Sequence, residues 1–152
     1  MTLATPTSTI PSSVRPGPLA SAGRKRARIL VAEDDTDTRW LVSTALRCDG
    51  HEVIELRDGG RMLVEVASAY GASGLNPICD MFVSDLRMPV CNGIEILEAV
   101  RRVRWKTPYI VMTAFADPAT RRHIESLGAM LFEKPFDIAE LRAAVRKSLG
   151  RS

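Results

Sequence analysis

The predicted fold and the candidate functional site of this chain both depend on the stretch Met81-Phe82-Val83-Ser84-Asp85-Leu86-Arg87-Met88-Pro89. Its first four residues form a short, mostly apolar run, which is typical of a strand buried on both faces of a sheet. Asp85 follows at the carboxyl end of that strand, and open α/β sheets bind their ligands beyond this end. The stretch therefore predicts a buried strand that presents one carboxylate at a candidate site.

Four more apolar runs lie along the chain and read as strands, at 29–32, 52–56, 109–112 and 130–132. After each strand, apolar residues recur every three or four positions, which predicts a helix. Five strands alternating with five helices indicate an α/β fold with a doubly wound, five-stranded parallel sheet and right-handed crossovers. Ligands of such a fold are expected at the edge where the strands end.

Composition favours one folded domain with an extension at its amino end. The chain has 152 residues, of which 45% are hydrophobic, and this is enough for a single core. Residues 1–26 are rich in Pro, Ser and Thr and end in a basic run, so we expect a disordered extension there. Residues 27–150 are expected to form the domain.

Charge and cysteine content exclude several classes of protein. The formal net charge is +3, but acidic and basic residues are interspersed, which does not favour direct DNA binding. Three widely spaced cysteines without a CxxC pair fit neither a disulfide scaffold nor a zinc site. With no apolar stretch of membrane-spanning length, we expect a cytoplasmic protein that does not enter a membrane.

Mostly polar residues follow four of the predicted strands. They are Glu33, Asp34 and Asp35 after the first strand, Asp85 after the third, Thr113 and Ala114 after the fourth, and Lys134 and Pro135 after the fifth. Carboxylates crowded at one edge raise one another's pKa values, and a single lysine offsets only part of that repulsion. Mg²⁺ prefers oxygen ligands of this kind, so the sequence predicts a magnesium site.

With these motifs in this order, the chain resembles the receiver domains of two-component response regulators, of which the single-domain chemotaxis regulator is one type. The resemblance covers residues 28–149 and implies a flavodoxin-like receiver fold. It implies that Asp85 accepts a phosphoryl group from a histidine kinase or phosphotransfer protein. Asp34, Asp35, Asp85 and the main-chain oxygen of Arg87 would then hold Mg²⁺. Lys134 would pair with the phosphoryl oxygens.

The resemblance also implies a switch. Thr113 would hydrogen-bond a phosphoryl oxygen and draw in the loop after the fourth strand. The family often has Tyr or Phe three residues before the lysine, where this chain has Leu131, with Phe132 beside it. The face formed by the fourth helix, fifth strand and fifth helix would bind a downstream protein or a second copy of the chain. Arg87 and Phe115 are bulky and would shield the phosphoryl group from water.

Two other functions share parts of this pattern. A pseudo-receiver would keep the fold and signal without phosphate, but the acids, Thr113 and Lys134 argue against it. A phosphohydrolase of the haloacid dehalogenase type carries a DxD motif, whereas Leu86 and Arg87 follow Asp85. We therefore expect a stand-alone response regulator without an output domain. It is not expected to be a conventional enzyme, and its only activities should be Mg²⁺-dependent self-phosphorylation and autodephosphorylation.

His51 and His123 are expected to be exposed.

Overall fold

The computed structural model describes residues 26–72, 74 and 76–150. The predicted extension, apart from Arg26, lies outside this part of the chain. Five strands alternate with five helices: β1 Arg28–Ala32, α1 Thr36–Cys48, β2 Glu52–Leu56, α2 Gly59–Ala72, β3 Met81–Asp85, α3 Gly93–Arg102, β4 Tyr109–Thr113, α4 Pro118–Ser126, β5 Met130–Glu133 and α5 Ile138–Gly150. The α/β fold predicted from the alternation of apolar runs and helical spacing is confirmed.

All five strands are parallel and lie in the order β2-β1-β3-β4-β5. From β1 the chain moves out to β2 and then returns past β1 to β3, so the direction of winding reverses between β1 and β3. In the register of the sheet, Ala32 lies opposite Ser84 and Asp85 lies opposite Met112. The crevice at this reversal is where doubly wound sheets bind ligands, and it lies beside the end of β3.

The sheet is covered on both faces, and alternate residues of the central strands point to opposite sides. Phe82 and Tyr109 belong to the core beneath α2, α3 and α4, and their rings stack with centroids 5.4 Å apart. Met81 and Val83 belong to the core beneath α1 and α5. Each such side chain stabilises the fold by about 1.5–3 kcal/mol when fully buried. Burial on both faces of the sheet therefore explains why the sequence of β3 is a mostly apolar run without alternation.

Short polar motifs fix the ends of the helices that surround the site. Asn92 and Glu95 form a reciprocal capping box at the start of α3, with N···O distances of 2.9 Å in both directions. Asp117 caps α4 by accepting a hydrogen bond from the main-chain N–H of Thr120 at 2.7 Å, and Pro118 occupies the first turn. These caps hold the β3–α3 and β4–α4 loops at the carboxyl edge of the sheet.

Two side chains just beyond the carboxyl end of α1 contact neighbouring elements. Asp49 closes α1 and pairs with Arg142 of α5, whose Nε lies 3.0 Å from Asp49 Oδ2. His51 is buried, with 8% of its surface exposed, and its Nδ1 accepts a hydrogen bond from the main-chain N–H of Ala27 at 3.2 Å. The prediction that His51 is exposed was wrong, because its ring supplies an acceptor to the start of β1.

No helix in the described part of the chain combines the length and the apolar character that crossing a membrane requires.

Candidate functional site

Asp85 is the last residue of β3, and 7% of its surface is exposed. The chain leaves β3 along a path that stays close to the sheet: Leu86 N–H donates to the Met112 carbonyl at 2.7 Å. Gly93 N–H then donates to the Leu86 carbonyl at 2.8 Å. A Cβ atom at Gly93 would lie 2.5 Å from the Asp85 carbonyl oxygen, so this close return requires glycine. The nucleophile candidate is thus recessed and firmly held.

Lys134 follows β5 and reaches across the edge of the sheet to two carboxylates. Its Nζ lies 3.1 Å from Asp85 Oδ1 and donates a hydrogen bond to Glu33 Oε1 at 2.9 Å. Its main-chain N–H donates to the Thr113 carbonyl at 2.7 Å, which fixes the backbone that carries the side chain. The ends of β1, β3 and β5 therefore meet at one ammonium group.

Burial and charge act against each other at these three groups. Burial raises the pKa of Asp85 and of Glu33, and the hydrogen bonds and charge of Lys134 offset part of that rise. Burial alone would lower the pKa of Lys134, but its hydrogen bonds with Glu33 and Asp85 outweigh this effect and the pKa is raised. Each carboxylate therefore needs the Lys134 ammonium, or another cation, nearby if it is to be ionised without a large free-energy penalty.

Among the described residues, one acidic cluster has the spacing of a metal site. It comprises Glu33, Asp34 and Asp85, whose ligand oxygens all lie within 4.8 Å of one another. Glu33 is fully buried, while Asp34 is exposed and opens the cluster to solvent. Three ionised carboxylates and one ammonium leave two negative charges, which a divalent cation would balance. Oxygen ligands with one open side fit Mg²⁺, which retains several waters.

Asp35 is placed differently from its predicted role as a magnesium ligand. Its Oδ2 accepts hydrogen bonds from Thr38 N–H at 2.8 Å and from Thr38 Oγ1 at 2.7 Å, which caps α1. These bonds lower the pKa of Asp35. The acidic cluster of the described residues therefore contains Glu33 and Asp34, whereas the predicted ligand pair was Asp34 and Asp35. An Asp three residues before a Thr is a helix-capping pattern and could have indicated that Asp35 caps α1. The continuation of burial from β1 into Glu33 could have indicated that Glu33 points into the cluster.

The predicted switch residues make no described hydrogen bond to Asp85. Thr113 is fully buried, and its Oγ1 donates to the Phe115 carbonyl at 2.9 Å while accepting from Phe115 N–H at 3.2 Å. Leu131 packs against the core beneath α4, whereas Phe132 faces the other side of the sheet. The exposed Arg87 lies on the β3–α3 loop, two residues beyond Asp85.

Comparison with known proteins identifies the family to which this chain belongs. The model of the response regulator receiver domain matches residues 29–146, which is most of the chain. The chain belongs to the response regulator receiver family. Receiver domains of this family act as switches in two-component phosphorelay signalling rather than as conventional enzymes. The fold and the resemblance predicted from the sequence are both confirmed.

Several curated relatives are larger than this chain. The regulatory protein AtoC of Escherichia coli is 33% identical over 125 residues, covering 80% of this chain and 25% of AtoC. The DNA-binding transcriptional regulator NtrC of Salmonella typhimurium is 30% identical, covering 83% of this chain and 25% of NtrC. The chain thus spans about a quarter of these relatives. Sporulation initiation phosphotransferase F of Bacillus subtilis is 30% identical, covering 80% of this chain and 93% of that protein.

Solved structures agree with this membership. The Francisella response regulator 1452 receiver domain has a TM-score of 0.71 and 26% identity, covering 83% of this chain and 98% of that one. The Vibrio cholerae chemotaxis protein CheY4 has a TM-score of 0.68 and 28% identity, covering 82% of this chain and all of CheY4. The receiver fold of this chain is therefore the same as that of experimentally determined family members.

Proposed function

We propose that this receiver accepts a phosphoryl group on Asp85 from the phosphorylated histidine of a kinase or phosphotransfer protein, and that the modification switches its binding to a partner. The observation that carries the proposal is the position of Lys134 Nζ, 3.1 Å from Asp85 Oδ1 and 2.9 Å from Glu33 Oε1. A recessed carboxylate next to a fixed ammonium and two further acids has the groups that phosphoryl transfer needs.

In the proposed transfer, one carboxylate oxygen of Asp85 forms a bond to phosphorus. The bond from phosphorus to the donor's histidine nitrogen breaks, and that nitrogen keeps the electron pair. Lys134 already lies beside the attacking group and neutralises charge on the transferred oxygens. Mg²⁺, held by Glu33, Asp34 and Asp85 with a main-chain oxygen of Arg87, would supply further charge neutralisation.

The proposed switch starts at Thr113. Its hydroxyl now bonds to the main chain of Phe115, and a phosphoryl oxygen on Asp85 would be a stronger, charged acceptor for the same O–H. Rotation of Thr113 would release the β4–α4 loop and alter the packing of Leu131 below α4. We propose that the face formed by α4, β5 and α5 then binds a downstream protein or a second copy of the chain, by a shift between existing conformations.

The test uses acetyl phosphate, which donates a phosphoryl group without a protein partner. Wild type incubated with acetyl phosphate and Mg²⁺ should gain the mass of one phosphoryl group, and chelation of Mg²⁺ should prevent the gain. Asp85→Asn should show no adduct, while Asp80→Asn, at the amino end of the same strand, should behave like wild type. No adduct on the wild type, or an adduct that persists in Asp85→Asn, contradicts the proposal.

A further inference from the structure

The peptide bond between Glu33 and Asp34 joins two of the three acids in the cluster. Its oxygen, the main-chain carbonyl of Glu33, accepts a hydrogen bond from Arg39 Nη1 at 2.7 Å. The N–H of Glu33 donates to the Leu56 carbonyl at 3.1 Å. Because the peptide is planar and rigid, rotating it would change the direction of both carboxylates, which branch from the carbons on either side. The hydrogen bond from Arg39 therefore helps to fix how this pair of acids faces the cluster.

Arg39 is itself held by a carboxylate on the neighbouring strand. It lies near the start of α1, and 12% of its side chain is exposed. Its Nε lies 3.4 Å from Glu55 Oε1 of β2, and Arg47 Nη1 lies 2.7 Å from the other oxygen of the same carboxylate. A guanidinium presents its donors in a rigid planar fork, so contact at one nitrogen also sets the direction of the others. Glu55 thus orients Arg39, and Arg39 orients the loop after β1.

The charge of Arg39 acts in the opposite direction to its hydrogen bond. The hydrogen bonds from Thr38 lower the pKa of Asp35 most, and the charges of Lys134 and Arg39 lower it further. The Arg39 guanidinium is therefore within electrostatic reach of the acids after β1, where it would repel another cation. By charge alone Arg39 would weaken the binding of Mg²⁺, so any contribution that favours the ion must come from geometry.

We infer that Arg39 is a positioning residue for the Mg²⁺ site, an inference that rests on the proposed function through that site. Arg39 acts through the backbone, by holding the carbonyl between the two acids, and not by contact with the ion. This bond keeps the carboxylate oxygens of Glu33 and Asp34 within 4.8 Å of each other and of Asp85. Without it, the loop would sample orientations in which the two carboxylates no longer converge.

The test replaces Arg39 in two ways and measures Mg²⁺ binding by isothermal titration calorimetry, well below Tm and without a phosphoryl donor. Arg39→Lys keeps the positive charge, but a single ammonium nitrogen replaces two nitrogens of a rigid fork. Arg39→Gln removes the charge as well. Loss of a group that orients metal ligands lowers metal affinity by about 10–100-fold. We expect a fall of about tenfold in both variants, because Glu33 keeps its hydrogen bonds to Lys134 and to the N–H of Asp35.

Arg47→Gln is the matched control. Arg47 lies on the same helix, pairs with the same Glu55 carboxylate and also donates to a main-chain carbonyl, that of Val53 at 2.9 Å. Val53 lies within β2, so this bond does not reach the loop that carries the acids. Arg47→Gln should bind Mg²⁺ within about twofold of wild type, since it removes an exposed ion pair only. Urea unfolding of all three variants separates lost stability from lost affinity.

The sign of the change separates positioning from charge. Tighter Mg²⁺ binding by Arg39→Gln, with unchanged binding by Arg39→Lys, would mean that Arg39 acts only as a charge and would overturn the inference. Wild-type affinity in both Arg39 variants, or an equal loss in Arg47→Gln, would overturn it as well. If Arg39→Gln does not fold, Arg39→Lys decides alone because it keeps the charge. Wild type that binds Mg²⁺ but gains no adduct from acetyl phosphate would instead refute the proposed phosphorylation, and the role of Arg39 would still be decided by the Mg²⁺ affinities.

Discussion

Gly93→Ala is the substitution that tests most directly how Asp85 is held. The added Cβ would lie 2.5 Å from the Asp85 carbonyl oxygen, 2.9 Å from Ser84 Oγ and 3.1 Å from Leu86 Cα. Ordinary contacts of these kinds are about 3.3–4.0 Å, so the loop and strand must separate by roughly 1 Å. Since two of the three neighbours are main-chain atoms next to a buried strand, a rotamer change cannot relieve the clash.

The expected loss of stability follows from two opposing contributions. Overpacking in a well-packed interior costs about 1–3 kcal/mol. Replacing glycine in the first turn of α3 returns about 0.5–1 kcal/mol of chain entropy. We therefore expect Gly93→Ala to lower the free energy of unfolding by about 1–2 kcal/mol, and urea unfolding at constant m-value is the measurement. A shift of Asp85 of this size should also slow phosphorylation by acetyl phosphate about tenfold or more.

Gly71→Ala is the matched control, because it makes the same chemical change in α2 where nothing lies within 4 Å of the new Cβ. It should raise the free energy of unfolding by about 0.5 kcal/mol and leave phosphorylation unchanged. The reasoning is refuted if Gly93→Ala is as stable as Gly71→Ala. It is equally refuted if Gly93→Ala loses stability but reacts at the wild-type rate, since Asp85 would then not depend on this contact.

Three further predictions concern the metal, the phosphorylated state and pH. Asp34→Asn should abolish the rise in Tm that Mg²⁺ produces. Asp35→Asn, which still caps α1, should keep that rise. An equal loss of the Mg²⁺-dependent rise in both variants would show that Asp35 belongs to the metal site. Replacing Arg87 or Phe115 by Ala should speed hydrolysis of the phosphorylated protein by admitting water, and unchanged decay of the phosphorylated mass in both variants would remove the shielding role. The α5 guanidinium lowers the pKa of Asp49 in the folded state, so this pair stabilises the fold above the unfolded pKa of about 3.9 and less as pH falls below it. Asp49→Asn should therefore lower the free energy of unfolding by about 1 kcal/mol at pH 7, with the difference from wild type shrinking below about pH 4 in urea titrations.

The fold was predictable because its determinants are local in sequence. A strand buried on both faces must be apolar throughout, as β3 is, and a helix covering one face must be apolar at every third or fourth position. Caps such as Asp117-Pro118 mark the helix starts independently. Once the strands are parallel, their carboxyl ends share one edge, so the meeting of Asp85 with Lys134 also follows from the sequence.

Two differences between sequence and structure, at the acidic residues after β1 and at His51, depend on side-chain direction rather than on position along the chain. Glu33, Asp34 and Asp35 are consecutive, and only the path of the backbone between β1 and α1 decides which of them point into the cluster. Glu33 remains buried beyond the end of the strand, and Asp35 turns back to the first N–H groups of the helix. His51 was misjudged for the same reason, because its acceptor role at Ala27 is made by a residue distant in sequence.

Several features that reduce stability lie at the carboxyl edge of the sheet. Glu33 is a fully buried carboxylate with a raised pKa, Asp85 is nearly buried, and Val90 holds unfavourable φ while exposing an apolar side chain. Substitutions at the carboxyl edge that stabilise the protein should accordingly be those that impair phosphorylation, whereas stabilising changes elsewhere should leave it intact.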